Sequence, residues 1–198
     1  MKYFLSIFLA FVFFNSSFSQ STNEALPYAQ IPEKNGDYSS GNVLSRMIDG
    51  LGFRYYWATE GLTQKDLDYI PTDESRNTLE TIEHIFGLSQ TVVNGARNLP
   101  NIQPADFSGM NFQEFRSKTL LNLQEASELF ADMDEAEIED LKIVFQRGSN
   151  RSEYPFWNMI NGPIADMIYH SGQVVLLRRM SGNPINPKVN VFLGVTGN

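Results

Sequence analysis

The chain has 198 residues, no cysteine, and 23 acidic against 15 basic side chains, which gives a formal net charge of −8 at pH 7. This length supports one sizeable hydrophobic core and is short for two. Without cysteine the fold has no disulfide, and nitrogen and oxygen atoms must hold any metal ion. The acidic balance disfavours a nucleic-acid partner, because phosphate binding needs a basic surface.

The first residues are typical of a secretory signal peptide over residues 1–19. Lys2 precedes an apolar run over residues 3–14, and the small residues Ser17 and Ser19 follow it. This run is shorter than the roughly 17–25 residues of a membrane-spanning helix. We therefore expect cleavage before Gln20, export to the periplasm or the exterior, and no membrane association of the mature protein.

Residues 20–40 predict an extended lead-in, and a single domain over residues 41–198 follows it. The lead-in is polar and is interrupted by Pro27, Pro32 and Gly36. Apolar residues then recur at spacings of three and four, which predicts a first helix that ends near Glu60. These residues are Leu44, Met47, Ile48, Leu51, Tyr55 and Ala58.

Two more helices are predicted in the middle of the chain. The second should begin with Thr78 as its N-cap and end near Asn98, before a link that contains two prolines and a glycine. This link is long enough to cross back along a bundle. The third has Asn111 as N-cap and Glu114 three residues later, the arrangement of a capping box.

The C-terminal half predicts one more long helix. The stretch LKIVFQR at residues 141–147 is compatible with a strand and with a further turn of helix. The fourth helix should begin between Tyr154 and Trp157 and end before Gly182. Four apolar stripes of this kind predict an all-α fold, a four-helix bundle with an extended N-terminal lead-in and a C-terminal tail.

Both histidines of the chain lie at the edges of apolar helix stripes. Asp166 and His170 are four residues apart and face one side of the fourth helix, and His84 borders the core from the second. Two imidazoles and a carboxylate make a three-ligand metal set with open coordination positions. Glu80 and Gln173 are candidate partners of these ligands. The alternative is structural: a boundary histidine, an acid in the first turn of a helix and polar contacts within the bundle.

The two histidine segments together resemble those of the DinB/YfiT-like superfamily. The second helix contains ETIEHIFGLS, and the last helix contains H-x-G-Q followed by LLRRMSGNP. The resemblance covers residues 41–194 and is closest to exported DinB-like proteins. It implies four helices in an up-down-down-up order.

The resemblance also implies a divalent metal, commonly zinc or nickel, held by one histidine of the second helix and an H-x-x-x-H pair on the last. These positions fall on His84, Asp166 and His170, so an aspartate stands where the family has the first histidine of the pair. A carboxylate makes the site harder, which favours iron, manganese or zinc over nickel.

The function that the resemblance implies is that of a metal-dependent hydrolase or transferase acting on a small molecule. The alternative is a non-catalytic exported bundle that binds a small ligand or a protein partner. A homodimer formed through the first and last helices is compatible with either function.

Overall fold

The structure is a computed structural model that describes residues 25–33 and 36–197. The predicted signal peptide lies outside these residues. The elements in chain order are α1 (Ser40–Thr59), α2 (Gln64–Leu67), α3 (Thr78–Ala96), β1 (Asn101–Ile102), α4 (Phe112–Ala131), α5 (Glu135–Asp140), β2 (Lys142–Arg147), β3 (Asn150–Pro155), α6 (Trp157–Met159), a π-helical turn (Ile160–Ile164), α7 (Ala165–Ser181), β4 (Val189–Asn190) and β5 (Val195–Thr196).

Local sequence explains where the long helices begin and end. The capping box predicted for Asn111 and Glu114 is confirmed at the start of α4. At α3 the N-cap is Asn77 rather than Thr78, because the Asn77 side chain pairs reciprocally with Glu80 while Thr78 is buried as the first helical residue. Gly182 ends α7 in the left-handed conformation, at φ 98°, which glycine adopts without steric cost.

The four long helices enclose the core. α1 and α3 each pack against both α4 and α7. Contacts along their lengths show that α1 is antiparallel to α4, α4 is parallel to α3, and α3 is antiparallel to α7. For α1 and α4 the contacts are Ser45 with Ser127 and Thr59 with Arg116. For α3 and α4 they are Phe86 with Phe115 and Ser89 with Asn122. For α3 and α7 they are His84 with Asp166, and Gly95 with Met159 of α6, which leads into α7.

The prediction of an all-α four-helix bundle is wrong, because the chain also forms two small sheets and additional short helices. β2 pairs with β3 as an antiparallel hairpin and with β1 in parallel. The ambiguous stretch at residues 141–147 is thus strand β2: Ile143 and Val144 are buried β-branched residues, and Gly148 turns the chain at φ 58°. β4 and β5 form a second antiparallel pair in the predicted tail.

The described part of the lead-in packs on the outside of α1. The ring of Tyr28 is buried where Gly52 leaves room for it, and its hydroxyl donates a hydrogen bond to Asp49. The backbone N–H of Ile31 donates to the carbonyl of Gly194, which connects the lead-in to the turn between β4 and β5. Within the described ranges, no helix has both the length and the hydropathy needed to cross a membrane.

Candidate metal centre

α3 and α7 bring His84, Asp166 and His170 together at one edge of the core. His84 Nε2 lies 3.3 Å from Asp166 Oδ2, and His170 Nε2 lies 3.3 Å from Asp166 Oδ1. The two imidazole rings meet edge to face, with their centroids 4.7 Å apart. One potential ligand atom from each of the three residues lies within 4.8 Å of those of the other two, so this group could hold a metal ion.

The spacing of the donor atoms fits the chemistry of a transition-metal site. Ligand atoms at about 2.0–2.1 Å from a tetrahedral ion are about 3.3 Å from one another. Here each imidazole lies 3.3 Å from a different oxygen of Asp166, and one donor atom from each of the three residues lies within 4.8 Å of the others, so a small shift of the side chains would bring them around one ion. The side chains of Asp166 and His84 are 41% and 33% exposed, and that of His170 is 13% exposed. The group is therefore anchored on the His170 side and accessible on the other.

Gln173 orients the imidazole of His170. His170 Nδ1 lies 2.6 Å from Gln173 Oε1. An amide oxygen can only accept a hydrogen bond, so the proton of the neutral ring is on Nδ1. This tautomer leaves the lone pair of Nε2 directed towards Asp166, the arrangement that metal-binding histidines require.

The surroundings of His84 favour its neutral form. Burial lowers the pKa of His84, its hydrogen bond with Asp166 opposes this effect, and the nearby charges of Arg76 and His170 lower the pKa further. Only neutral imidazole offers a lone pair to a metal ion. His84 is thus available as a ligand at neutral pH.

A π-helical turn precedes Asp166 and sets its position. Pro163 lies inside this turn and has no backbone N–H for an α-helical hydrogen bond, so the chain forms wider turns there before α7 begins. Asp166 consequently lies in the first turn of α7. His170 follows one turn later, on the same side of the helix.

Two residues proposed as partners of the ligands have different places in the structure. Gln173 contacts His170, as described above. Glu80 instead accepts a hydrogen bond from the backbone N–H of Asn77 and so caps α3. Glu80 is one turn from His84, a spacing that suits an interaction within the helix, but its carboxylate is already bonded to the N-cap residue Asn77.

A cleft of about 1000 Å³ lies beside the metal group, and His84 forms part of its wall. One wall is the outward face of α3, and the other is the segment from Pro100 to Phe107. This cleft was not predicted from the sequence, because the link after α3 was interpreted only as a crossover. The prolines of this link and Phe107 were the features of the sequence from which the cleft wall could have been predicted.

Comparison with family models, with curated proteins and with solved structures gave no match to this chain. Assignment to the DinB/YfiT-like superfamily therefore stays a prediction from the two histidine segments.

Proposed function

We propose that this protein binds a divalent transition metal through His84, Asp166 and His170, and that it is a DinB-like hydrolase. The observation that carries the proposal is the convergence of these three donors from two helices, with one potential ligand atom from each residue within 4.8 Å of those of the other two. Three protein ligands with an accessible side are the usual composition of a catalytic metal site.

The donor set supports zinc, iron or manganese rather than nickel. Two imidazoles and one carboxylate are the ligands of facial-triad iron sites and of His/His/carboxylate zinc sites. Asp166 brings one negative charge, so the loaded site is one unit less positive than a site of three histidines. Oxygen donors also suit hard ions such as manganese.

Each protein side chain has a distinct role in this proposal. His170 is the rigid ligand, because Gln173 fixes its ring. His84 is the ligand next to the cleft, and Asp166 supplies the charge between the two imidazoles. A divalent ion in such a site supplies Lewis-acid activation of a water molecule or a thiol.

The accessible side of the group supports a reaction with an external substrate. We favour hydrolysis over transfer to a thiol, because the predicted export removes the protein from the cytosolic thiol pool. Solvent water reaches this side, since the side chains of Asp166 and His84 are partly exposed.

Elemental analysis tests the metal site. Mature protein without an affinity tag is incubated with zinc, iron or manganese, freed of excess metal, and compared with His84→Ala, Asp166→Ala and His170→Ala. Asp140→Ala is the matched control, since Asp140 is an exposed acid at the end of α5. We expect one ion per chain in the parent and the control, and an affinity at least about tenfold lower in each ligand variant.

A folded parent protein that retains no ion after this incubation would rule out the metal site. A stoichiometric ion that survives all three substitutions would place the metal elsewhere. Hydrolysis is tested next with ester, amide and phosphoester panels, on loaded protein and on His84→Ala. Equal rates for the two proteins would reject the proposed reaction.

A further inference from the structure

The cleft next to His84 extends along α3. Its α3 wall contains Glu80, Glu83, Gly87 and Asn94, and the rise of an α-helix makes the distance from Glu80 to Asn94 about 21 Å along the axis. Of the three residues of the candidate metal group, His84 lines this cleft, in the part nearer to the start of α3.

Gly87 lies in the α3 wall of this cleft, opposite Phe107. A Cβ atom at this position would lie 3.5 Å from Cε2 of Phe107 in the opposite wall. The Phe107 ring is itself held edge to face against Phe86, with their centroids 4.9 Å apart. A longer side chain at residue 87 would therefore fill the cleft, because the ring opposite is packed in place.

The walls of the cleft have an unequal charge. Four carboxylates line it, those of Glu74, Glu80, Glu83 and Asp106, against the single guanidinium of Arg76. Glu80 and Asp106 each accept a backbone hydrogen bond, and Glu83 is exposed next to His84. A carboxylate or phosphate ligand would be repelled here, and an amine attracted.

We propose that this cleft binds the organic part of the substrate of the candidate metal centre, and that it selects an elongated molecule with a positively charged amine. The proposal rests on the proposed function, since the reacting group of the substrate would lie next to His84. Gly87 sets the space available to the substrate, and Glu83 contributes to the charge selection.

Hydroxamates are suitable probes, because their head group chelates a metal ion while the chain extends away from it. Binding is measured from the visible spectrum of the Co²⁺-loaded protein. Acetohydroxamate reports on the metal alone. Hexanohydroxamate, 6-aminohexanohydroxamate and adipic monohydroxamate add a chain of equal length that ends in a neutral, a cationic or an anionic group.

We expect the cationic probe to bind about tenfold more tightly than the anionic one, with the neutral probe between them. Glu83→Gln should reduce this ratio about threefold, and Glu139→Gln, the same charge change outside the cleft, should preserve it. Gly87→Leu should remove the gain of the long probes over acetohydroxamate. Gly172→Leu is its control, because a Cβ there meets nothing within 4 Å.

The outcomes separate this inference from the proposed function. A protein that takes up neither Co²⁺ nor acetohydroxamate overturns the metal site and the inference with it. A protein that binds both, but gives equal affinities for the three long probes, overturns the charge selection alone. Unchanged binding of the long probes by Gly87→Leu overturns the assignment of the cleft, while the metal site stands.

Discussion

The imidazole of His170 is oriented by Gln173 and faces Asp166 with its other ring nitrogen. Gln173 holds Nδ1, and Asp166 lies 3.3 Å from Nε2. His84 has only the Asp166 contact and the edge of the His170 ring, and it forms the wall of the cleft. At the scale of single residues the group thus combines one candidate ligand whose ring is oriented by a neighbour with one that borders the cleft.

Replacement of Gln173 by Leu tests this arrangement. The change removes the hydrogen-bond acceptor of His170 Nδ1–H but leaves the three candidate ligands in place. Removal of a residue that hydrogen-bonds a metal ligand typically lowers metal affinity about 10- to 100-fold. We expect such a loss for Zn²⁺ in a chelator competition assay, with an unchanged circular dichroism spectrum.

Gln173→Glu is the matched control, because a carboxylate still accepts the hydrogen bond. It should retain the affinity of the parent protein. Zinc binding by Gln173→Leu that equals that of the parent would contradict a positioning role for Gln173.

Among the helices, α1 and α4 approach most closely where α1 begins. A Cβ atom at Gly41 would lie 2.3 Å from the carbonyl oxygen of Phe130 and 2.5 Å from that of Met133. Both atoms belong to the backbone at the end of α4, so no side chain can move aside. Glycine is required there by packing rather than by its own backbone conformation.

Gly41→Ala should therefore lower the free energy of unfolding by about 1–3 kcal/mol, the usual cost of overpacking. Gly172→Ala is the matched change at an open helical position, and it should raise that free energy by about 0.5–1 kcal/mol, because alanine favours helix. Urea denaturation of both variants measures the difference. A Gly41→Ala protein as stable as the parent would refute the close approach of α1 and α4.

The RRMSGNP segment connects the end of α7 to α1 and α2. Arg178 Nη1 donates to the carbonyls of Trp57, Ala58 and Glu60, which satisfies the end of α1. Ser181 and Asn183 donate to the buried carboxylate of Asp66 in α2. Part of the segment that carries the family resemblance thus has a structural role.

Asp66→Asn tests this connection through its pH dependence. Burial raises the pKa of Asp66, but hydrogen bonds from Ser181, Asn183 and Thr63 outweigh it and hold the pKa well below its usual range. At pH 7 the free energy of unfolding of the variant should be lower by about 1–3 kcal/mol, because these three donors then face a neutral amide instead of a carboxylate.

The stabilising effect of an aspartate with a lowered pKa is complete above the pKa of the unfolded chain, about 3.9, and is lost as the pH falls towards the folded value. The stability difference between parent and variant should therefore be constant from pH 7 to 5 and shrink below about pH 4. Denaturation curves across this range measure it. A difference that grows on acidification would contradict the assignment.

On the scale of the whole molecule, the described parts of the lead-in and of the tail pack against the helices and against each other. Tyr28 is 4% exposed against Gly52, and Ile31 binds Gly194. Arg46 of α1 donates to the carbonyl of Pro32. Tyr28 and Ser127 of α4 both donate to Asp49, so the lead-in reaches the place where α1 and α4 meet.

Tyr28→Ala should accordingly cost about 3 kcal/mol of unfolding free energy, as expected for a buried aromatic side chain. Tyr38→Ala is the control, since Tyr38 belongs to the same region and is 96% exposed, and it should leave the unfolding midpoint unchanged. Chemical denaturation measures both. Equal midpoints for the two variants would show that the lead-in contributes nothing to stability.

The sequence predicted the long helices because their signals are local. Spacings of three and four place apolar residues on one side of α1, and Asn111 with Glu114 marks the start of α4. The hairpin of β2 and β3 was missed because β3 is exposed along its whole length and has no alternation of apolar and polar residues.

The residues of the candidate site could also be predicted from the sequence, since the chain has two histidines and one of them follows Asp166 by four residues. Only the tertiary structure decided that His84 meets this pair, that Glu80 caps α3 instead, and that Gly87 and Phe107 face each other across a cleft. Helix periodicity depends on neighbours within one turn, whereas the contact of His84 with Asp166 joins positions 82 residues apart. These contacts depend on how α3, α7 and the segment after α3 pack, which no local pattern encodes.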